Sequence, residues 1–194
     1  MARTDRLRLL VLAVFASLTP LALSACGTAP QNKAEGPGSA PFTLSGANGR
    51  PVSDYTLKGK PYAIFFGFTR CPDVCPTTLA RMAHLRKAMG ADGAKFAIVF
   101  VSVDPEHDKP ADIGRYVDLF GTPIIGATGS KAQIDAITKN FGVFYQKVPQ
   151  PGGDYTIDHS AIVILMDRKG HFAGTLSDSE DEKASLAKLK PLVA

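Results

Sequence analysis

Cysteine is scarce in this chain, with three in 194 residues. That is too few for a small scaffold stapled by disulfides. There are only four histidines, so few imidazoles compete for any ligand role. No internal repeat recurs, and composition does not shift again after Pro41, which argues for one folded domain. A clustered basic stripe is also missing. The formal charge of +4 includes Arg3, Asp5, Arg6 and Arg8, so the remainder of the chain carries only +2. Nothing in this pattern calls for a nucleic-acid partner.

What the chain does have begins with a leader. Arg3, Arg6 and Arg8 precede an apolar run from Leu9 to Leu18, and Leu23-Ser24-Ala25 puts small residues before Cys26. This is the layout of a secretory signal peptide over residues 1–25. The Leu-Ser-Ala-Cys stretch resembles a bacterial lipobox, which makes Cys26 a lipid-bearing N-terminus. A single transmembrane anchor is the alternative, since no charge falls between Arg8 and Lys33. Pro20 and the short apolar core argue against it, because a span needs ~20 mostly apolar residues. Either reading places the domain outside the cytoplasm and tethered to a membrane. Residues 26–40 read as a flexible tether, Gln31 to Ala40 being rich in Gly, Pro, Ala and Ser.

The body, residues 41–194, reads as one α/β domain. Phe42–Leu44 and Pro51–Leu57, separated by Ser-Gly-Ala-Asn-Gly, predict an N-terminal hairpin. Tyr62–Phe68 and Phe96–Val103 are continuous apolar runs, as central strands buried on both faces require. Thr77–Met89 carries Leu79, Met82, Leu85 and Met89 at helical spacing and is closed by Gly90. Those methionines read as core fillers. Pro110–Phe120 and Lys131–Phe141 read as helices, Ala161–Met166 and His171–Leu176 as a hairpin, and Ser179–Leu192 as a final helix. The order predicts a mixed central sheet flanked by helices.

The chemistry concentrates in Cys71-Pro-Asp-Val-Cys75, between the first long strand and a helix. With Cys26 lipidated, these two form the one remaining pair. A disulfide closing so short a loop contributes little entropic stabilisation. A domain that buries ~70% of its unfolded surface does not need one. The pair therefore reads as functional, either binding a soft metal or cycling as a disulfide, and both chemistries use the thiolate. Pro76 favours the first helical position, which predicts Cys75 at the N-cap, its pKa lowered by the helix dipole. Two thiolates suit Cu(I) or Zn(II) and call for a further ligand. His84, mid-helix among charges, and His171 read as solvated. His107, in Asp104-Pro-Glu-His-Asp108, lies at the carboxyl edge of the second long strand, the edge that also holds the cysteines. His159, in Asp158-His-Ser160, precedes an apolar strand.

Gly67-Phe-Thr-Arg-Cys-Pro-Asp-Val-Cys-Pro-Thr77, Ser102-Val-Asp-Pro-Glu106 and Asp158-His-Ser160 together closely resemble the Sco (SenC-like) family. The resemblance runs from about Pro41 to the end. It implies a thioredoxin-like fold and a copper chaperone that assembles the dinuclear copper centre of cytochrome c oxidase. By that resemblance Cys71, Cys75 and His159 are copper ligands, with Asp104 and Asp158 beside the site. The metal is Cu(I), with Cu(II) as a second state. The partners implied are the copper-receiving oxidase subunit and an upstream copper donor or thiol reductase. His107 is a departure, since relatives often carry arginine there, and offers an auxiliary ligand or a changed docking contact. His159 takes the place of the cis-proline of thioredoxin-like oxidoreductases, which turns an exchange groove into a three-ligand pocket. A second reading is a thiol-disulfide reductase acting through Cys71 and Cys75 on a partner's copper-site cysteines. A peroxiredoxin-like reading fails on Phe68 and Ile64, which stand where that family has threonine and proline.

Overall fold

Two runs in which every residue is buried, Tyr62–Gly67 (β3) and Ala97–Ser102 (β4), form the middle of the sheet in the computed structural model, which describes residues 36–194. Burial on both faces explains why these strands read as unbroken apolar runs. Each fully buried aromatic, such as Phe65, Phe66 or Phe100, contributes ~1.5–3 kcal/mol relative to exposure.

The chain opens with a hairpin of Thr43–Gly46 (β1) and Pro51–Ser53 (β2). The second expected strand is shorter than predicted. Ser53 forms a reciprocal capping box with Thr56, which turns Asp54–Leu57 into a short helix, α1. The remaining elements are Val74–Ala88 (α2), Pro110–Asp118 (α3), Ile125–Thr128 (β5), Lys131–Phe141 (α4), Tyr145–Pro149 (β6), Tyr155–His159 (β7), Val163–Met166 (β8), Phe172–Leu176 (β9) and Glu182–Val193 (α5). A 3-10 segment, Gly90–Lys95, links α2 to β4. Helix α4 has the bounds its sequence predicts, fixed by the Ser130 capping box and by Gly142 in the left-handed conformation at φ 67°.

Seven strands form one mixed sheet in the order β2-β1-β5-β4-β3-β8-β9. β3, β4 and β5 run parallel, while β1 pairs antiparallel with β5 and β8 with β3. Side chains alternate across a strand, so Phe65 and Gly67 face one way and Phe66 the other. The Phe66 ring meets Phe141 of α4 at 5.5 Å, and the Phe65 ring lies near Phe100, which stacks on Tyr116 of α3. Helices therefore cover both faces of the sheet.

Three strands depart from expectation. β5 was not anticipated, because its four residues Ile-Gly-Ala-Thr carry little β signal. Gly126 lies under α3 there, and a Cβ on it would come within 2.5 Å of the Ile113 side chain. β6 and β7 form a separate two-stranded sheet. His159 therefore ends β7, and the apolar strand after it starts only at Val163.

Candidate metal centre

β3 and β4 run parallel, so their carboxyl ends lie at one edge. Residues 68–73 carry Cys71 from the end of β3 to the start of α2, and Asp104 to Asp108 follow β4. Two buried carboxylates organise that edge. Asp108 accepts hydrogen bonds from the Thr69 amide at 2.8 Å, the Thr69 hydroxyl at 2.6 Å and the Ser102 hydroxyl at 2.5 Å. It thus fixes the backbone two residues before Cys71. Asp104 accepts from the Tyr155 hydroxyl at 2.7 Å and pairs with Arg70 at 3.4 Å and His107 at 3.1 Å. The Asp104 carbonyl also accepts the amides of His107 and Asp108, which makes the segment a turn with both acidic side chains turned inward.

The Cys71 and Cys75 sulfurs and a ring nitrogen of His159 all lie within 4.8 Å of one another. The Cys75 amide donates to the Cys71 sulfur at 3.4 Å. Cys75 is not the N-cap that Pro76 predicts. Asp73 takes the non-helical cap conformation, and Cys75 becomes the second residue of α2 with its sulfur turned into the core, fully buried. The thiol pKa moves opposite to expectation as well. Burial pushes it well up and outweighs the Phe68 amide that hydrogen-bonds the sulfur. Cys71 is only half-buried.

His159 packs edge-on against Phe65 and Phe68 at ring distances of 5.8 and 5.9 Å. Its Nδ1 lies 3.2 Å from the Ser160 carbonyl, which only accepts. That leaves Nε2 with its lone pair facing the Cys75 sulfur at 3.4 Å. Burial lowers the imidazole pKa below its ordinary 6.5, against the opposing Ser160 carbonyl and Asp158 charge, and so favours the neutral ring a metal needs.

The other sequence candidates fall into place around this trio. His107 does not join it: its ring is engaged by Asp104, Arg70 and Tyr155, which corrects the auxiliary-ligand expectation. Asp158, on the outer side of β7, lines a cavity of about 290 Å³ with Cys71, Val74 and His159. His84 and His171 are exposed and pair with Glu182 and Asp167. Cys26 lies outside the described residues. Sequence reasoning missed Tyr155 and the role of Gly67. A Cβ on Gly67 would stand 2.6 Å from the Cys75 sulfur, so this glycine makes the room that sulfur occupies.

Two sulfurs and one imidazole make a soft, three-donor set suited to Cu(I). Among the described residues no fourth His, Cys, Asp or Glu joins the group, whereas structural zinc takes four ligands.

Comparison with known proteins agrees with this geometry. The SCO1/SenC family model matches residues 30–194. The mitochondrial SCO2 protein of Saccharomyces cerevisiae is 35% identical over 153 residues, 77% of this chain and 51% of its own length. This chain thus spans about half of that relative. The structure of Bradyrhizobium japonicum ScoI with copper bound superposes with a TM-score of 0.74 at 42% identity, covering 79% of this chain and 98% of that one. A further solved structure is of BsSco, a member of the Sco family of cytochrome c oxidase assembly proteins in which a disulfide switch was identified. It aligns with a TM-score of 0.63 at 25% identity, over 84% of this chain and 96% of that one. The fold is thioredoxin-like, as the motifs implied. On the extent of the family match and of these alignments, the chain belongs to the SCO1/SenC family.

Proposed function

We propose that this chain is a membrane-tethered, extracytoplasmic metallochaperone that carries copper to the dinuclear centre of cytochrome c oxidase. The observation that carries the reading is the convergence of Cys71 Sγ, Cys75 Sγ and a His159 ring nitrogen within 4.8 Å, with Nε2 at 3.4 Å from the Cys75 sulfur. Copper-bound relatives of the same fold support it. Copper is the cargo, held as Cu(I) by the two thiolates and the neutral imidazole. Loading releases protons, because a buried neutral thiol must ionise to bind. Cys71 and the cavity beside it leave one side of the site open, as ligand exchange with a recipient requires. The tether is the lipid on Cys26, with residues 1–25 removed and the 26–40 stretch as the linker. The end of that linker is docked rather than free: Gly38 is buried, and Gly38 and Ala40 hydrogen-bond to Asn140 of α4. No helix among the described residues is long and apolar enough to cross a membrane.

The test is an anaerobic Cu(I) titration of the reduced protein against a competing chelator. Tight one-to-one binding is expected, and Cys71→Ser, Cys75→Ser or His159→Ala each removes it. Retention of tight binding by any of the three sinks the assigned trio.

The unequal burial of the two thiols favours a second reading, thiol-disulfide reduction. The Cys71 thiolate attacks a partner disulfide and one partner thiolate leaves. Cys75 then attacks the Cys71 sulfur, its proton passing out as the second partner thiolate leaves, and the pair ends as a disulfide. This activity survives His159→Ala, whereas copper loading does not.

A further inference from the structure

His159 is delivered by a hairpin whose strands, among the described residues, pair only with each other. Its distance from the cysteines is therefore set by how β7 docks on the main domain, and not by the ladder of the large sheet. Period-two alternation puts Tyr155, Ile157 and His159 on one face of β7. That face docks at three points. His159 meets the thiols, Ile157 is buried in the core, and the Tyr155 hydroxyl reaches Asp104 at 2.7 Å. Tyr155 stands ~13 Å along a stiff strand from His159 at 3.3 Å per residue.

The Tyr155 contact differs in kind from the hairpin's other ties. Lys147 to Glu106 is a surface pair, and such pairs hold little. Asp104, by contrast, has no exposed side-chain surface. A buried carboxylate that loses one donor keeps its full desolvation cost. The same carboxylate takes Arg70, the residue before Cys71, and Arg70 also grips Asp154 at the hairpin tip at 3.0 and 3.1 Å. One buried group thus joins the strand that bears the histidine to the loop that bears the cysteine.

We propose that Tyr155, held by Asp104 and flanked by Arg70, is a positioning residue for the metal centre that sets the distance between the His159 imidazole and the two thiols. It touches neither metal nor thiol and acts through β7. The inference rests on the copper reading for its effect on affinity, but its effect on His159 belongs to the metal-free protein.

The experiment is Tyr155→Phe, which removes one hydroxyl and keeps the ring. In the metal-free protein, the His159 ring 15N signals are expected to shift while those of His84 and His171 stay. Unmoved His159 signals overturn the proposal. In the Cu(I) competition titration, one-to-one stoichiometry is retained and affinity falls about 10–100-fold, the range for partners that orient ligands. Wild-type affinity in the variant overturns the proposal too. Arg70→Gln, which frees the hairpin tip from a partly exposed position, is expected to move both readouts the same way and by less. It supplies the answer if Tyr155→Phe lowers the yield of folded protein. Should the wild-type protein bind no Cu(I), the copper reading falls, and the metal-free His159 signals still decide whether Tyr155 positions that ring.

Discussion

Water reaches Cys71 and does not reach Cys75. The thiolate attacks an alkylating reagent, which must be able to reach it. Burial both shields Cys75 and raises its pKa. In the reduced, metal-free protein, iodoacetamide at pH 8 is therefore expected to label Cys71 at least about tenfold faster than Cys75. Peptide mass spectrometry over time reads the ratio, and equal rates would show the Cys75 sulfur to be open. Gly67 belongs to the same local argument. A methyl there meets the Cys75 sulfur at 2.6 Å and the Phe100 ring at 3.1 Å, both in the core. Overpacking of this kind costs ~1–3 kcal/mol. Gly67→Ala should lower the denaturant midpoint accordingly and weaken Cu(I) binding, and an unchanged midpoint would mean that the sulfur relocates freely. The reactive pair was plain in the sequence, from its spacing and place. The direction of the Cys75 pKa was not, because it turns on two residues of helix phase: at the cap a sulfur faces amides and water, whereas at the second helical position it is buried against Gly67 and the Phe68 amide.

His159 belongs to an element that the sequence concealed. Tyr145–Pro149 and Tyr155–His159 mix charged, polar and proline residues and are mostly half-buried or exposed, so no clean alternation marks them as strands. The turn between them, with Pro151, Gly152 and Gly153, is a breaker and gives no partner. Helix α4, by contrast, was read from the sequence with the bounds the structure gives it, Lys131–Phe141, between the Ser130 cap and Gly142. Placing His159 at the end of β7 puts its ring among Phe65, Phe68 and Cys75 and lowers its pKa below 6.5 by burial. Below that value the unfolded chain takes up a proton that the folded ring resists, so the unfolded state binds more protons and stability falls as pH falls. The chain carries three other histidines, so the His159 contribution must be isolated by difference. Urea unfolding of metal-free wild type and His159→Gln at pH 8 and pH 5 does this. The wild type's stability relative to the variant is expected to be greater at pH 8 than at pH 5. A difference independent of pH would place the imidazole in water.

Across the whole molecule, the candidate metal centre lies where three independently built pieces meet. The β3–α2 loop brings Cys71, the first turn of α2 brings Cys75, and a two-stranded sheet outside the main ladder brings His159. The centre of the large sheet was legible because β3 and β4 are continuous apolar runs, while β5 beside them was not. The assembly of the site was not, since the approach of β7 depends on a tyrosine and a buried aspartate 51 residues apart. A ligand that bridges all three pieces binds the folded state selectively and stabilises it by mass action, about 2.7 kcal/mol at a hundredfold excess over Kd. The unfolded chain still offers two cysteines four positions apart, which lowers that gain. For a domain of this size each kcal/mol moves Tm by about 2–4 °C, so Cu(I) should raise the Tm of the reduced protein by roughly 3–8 °C. The distribution of the gain identifies what is bridged. If copper merely joins the two thiols, folded and unfolded chains chelate it alike, and wild type and His159→Ala rise by the same small amount. If copper ties β7 to the cysteine loop, the rise is confined to the protein that has the imidazole. Anaerobic calorimetry of the two proteins side by side, with and without Cu(I), separates these cases, and an equal rise in both would remove His159 from the centre.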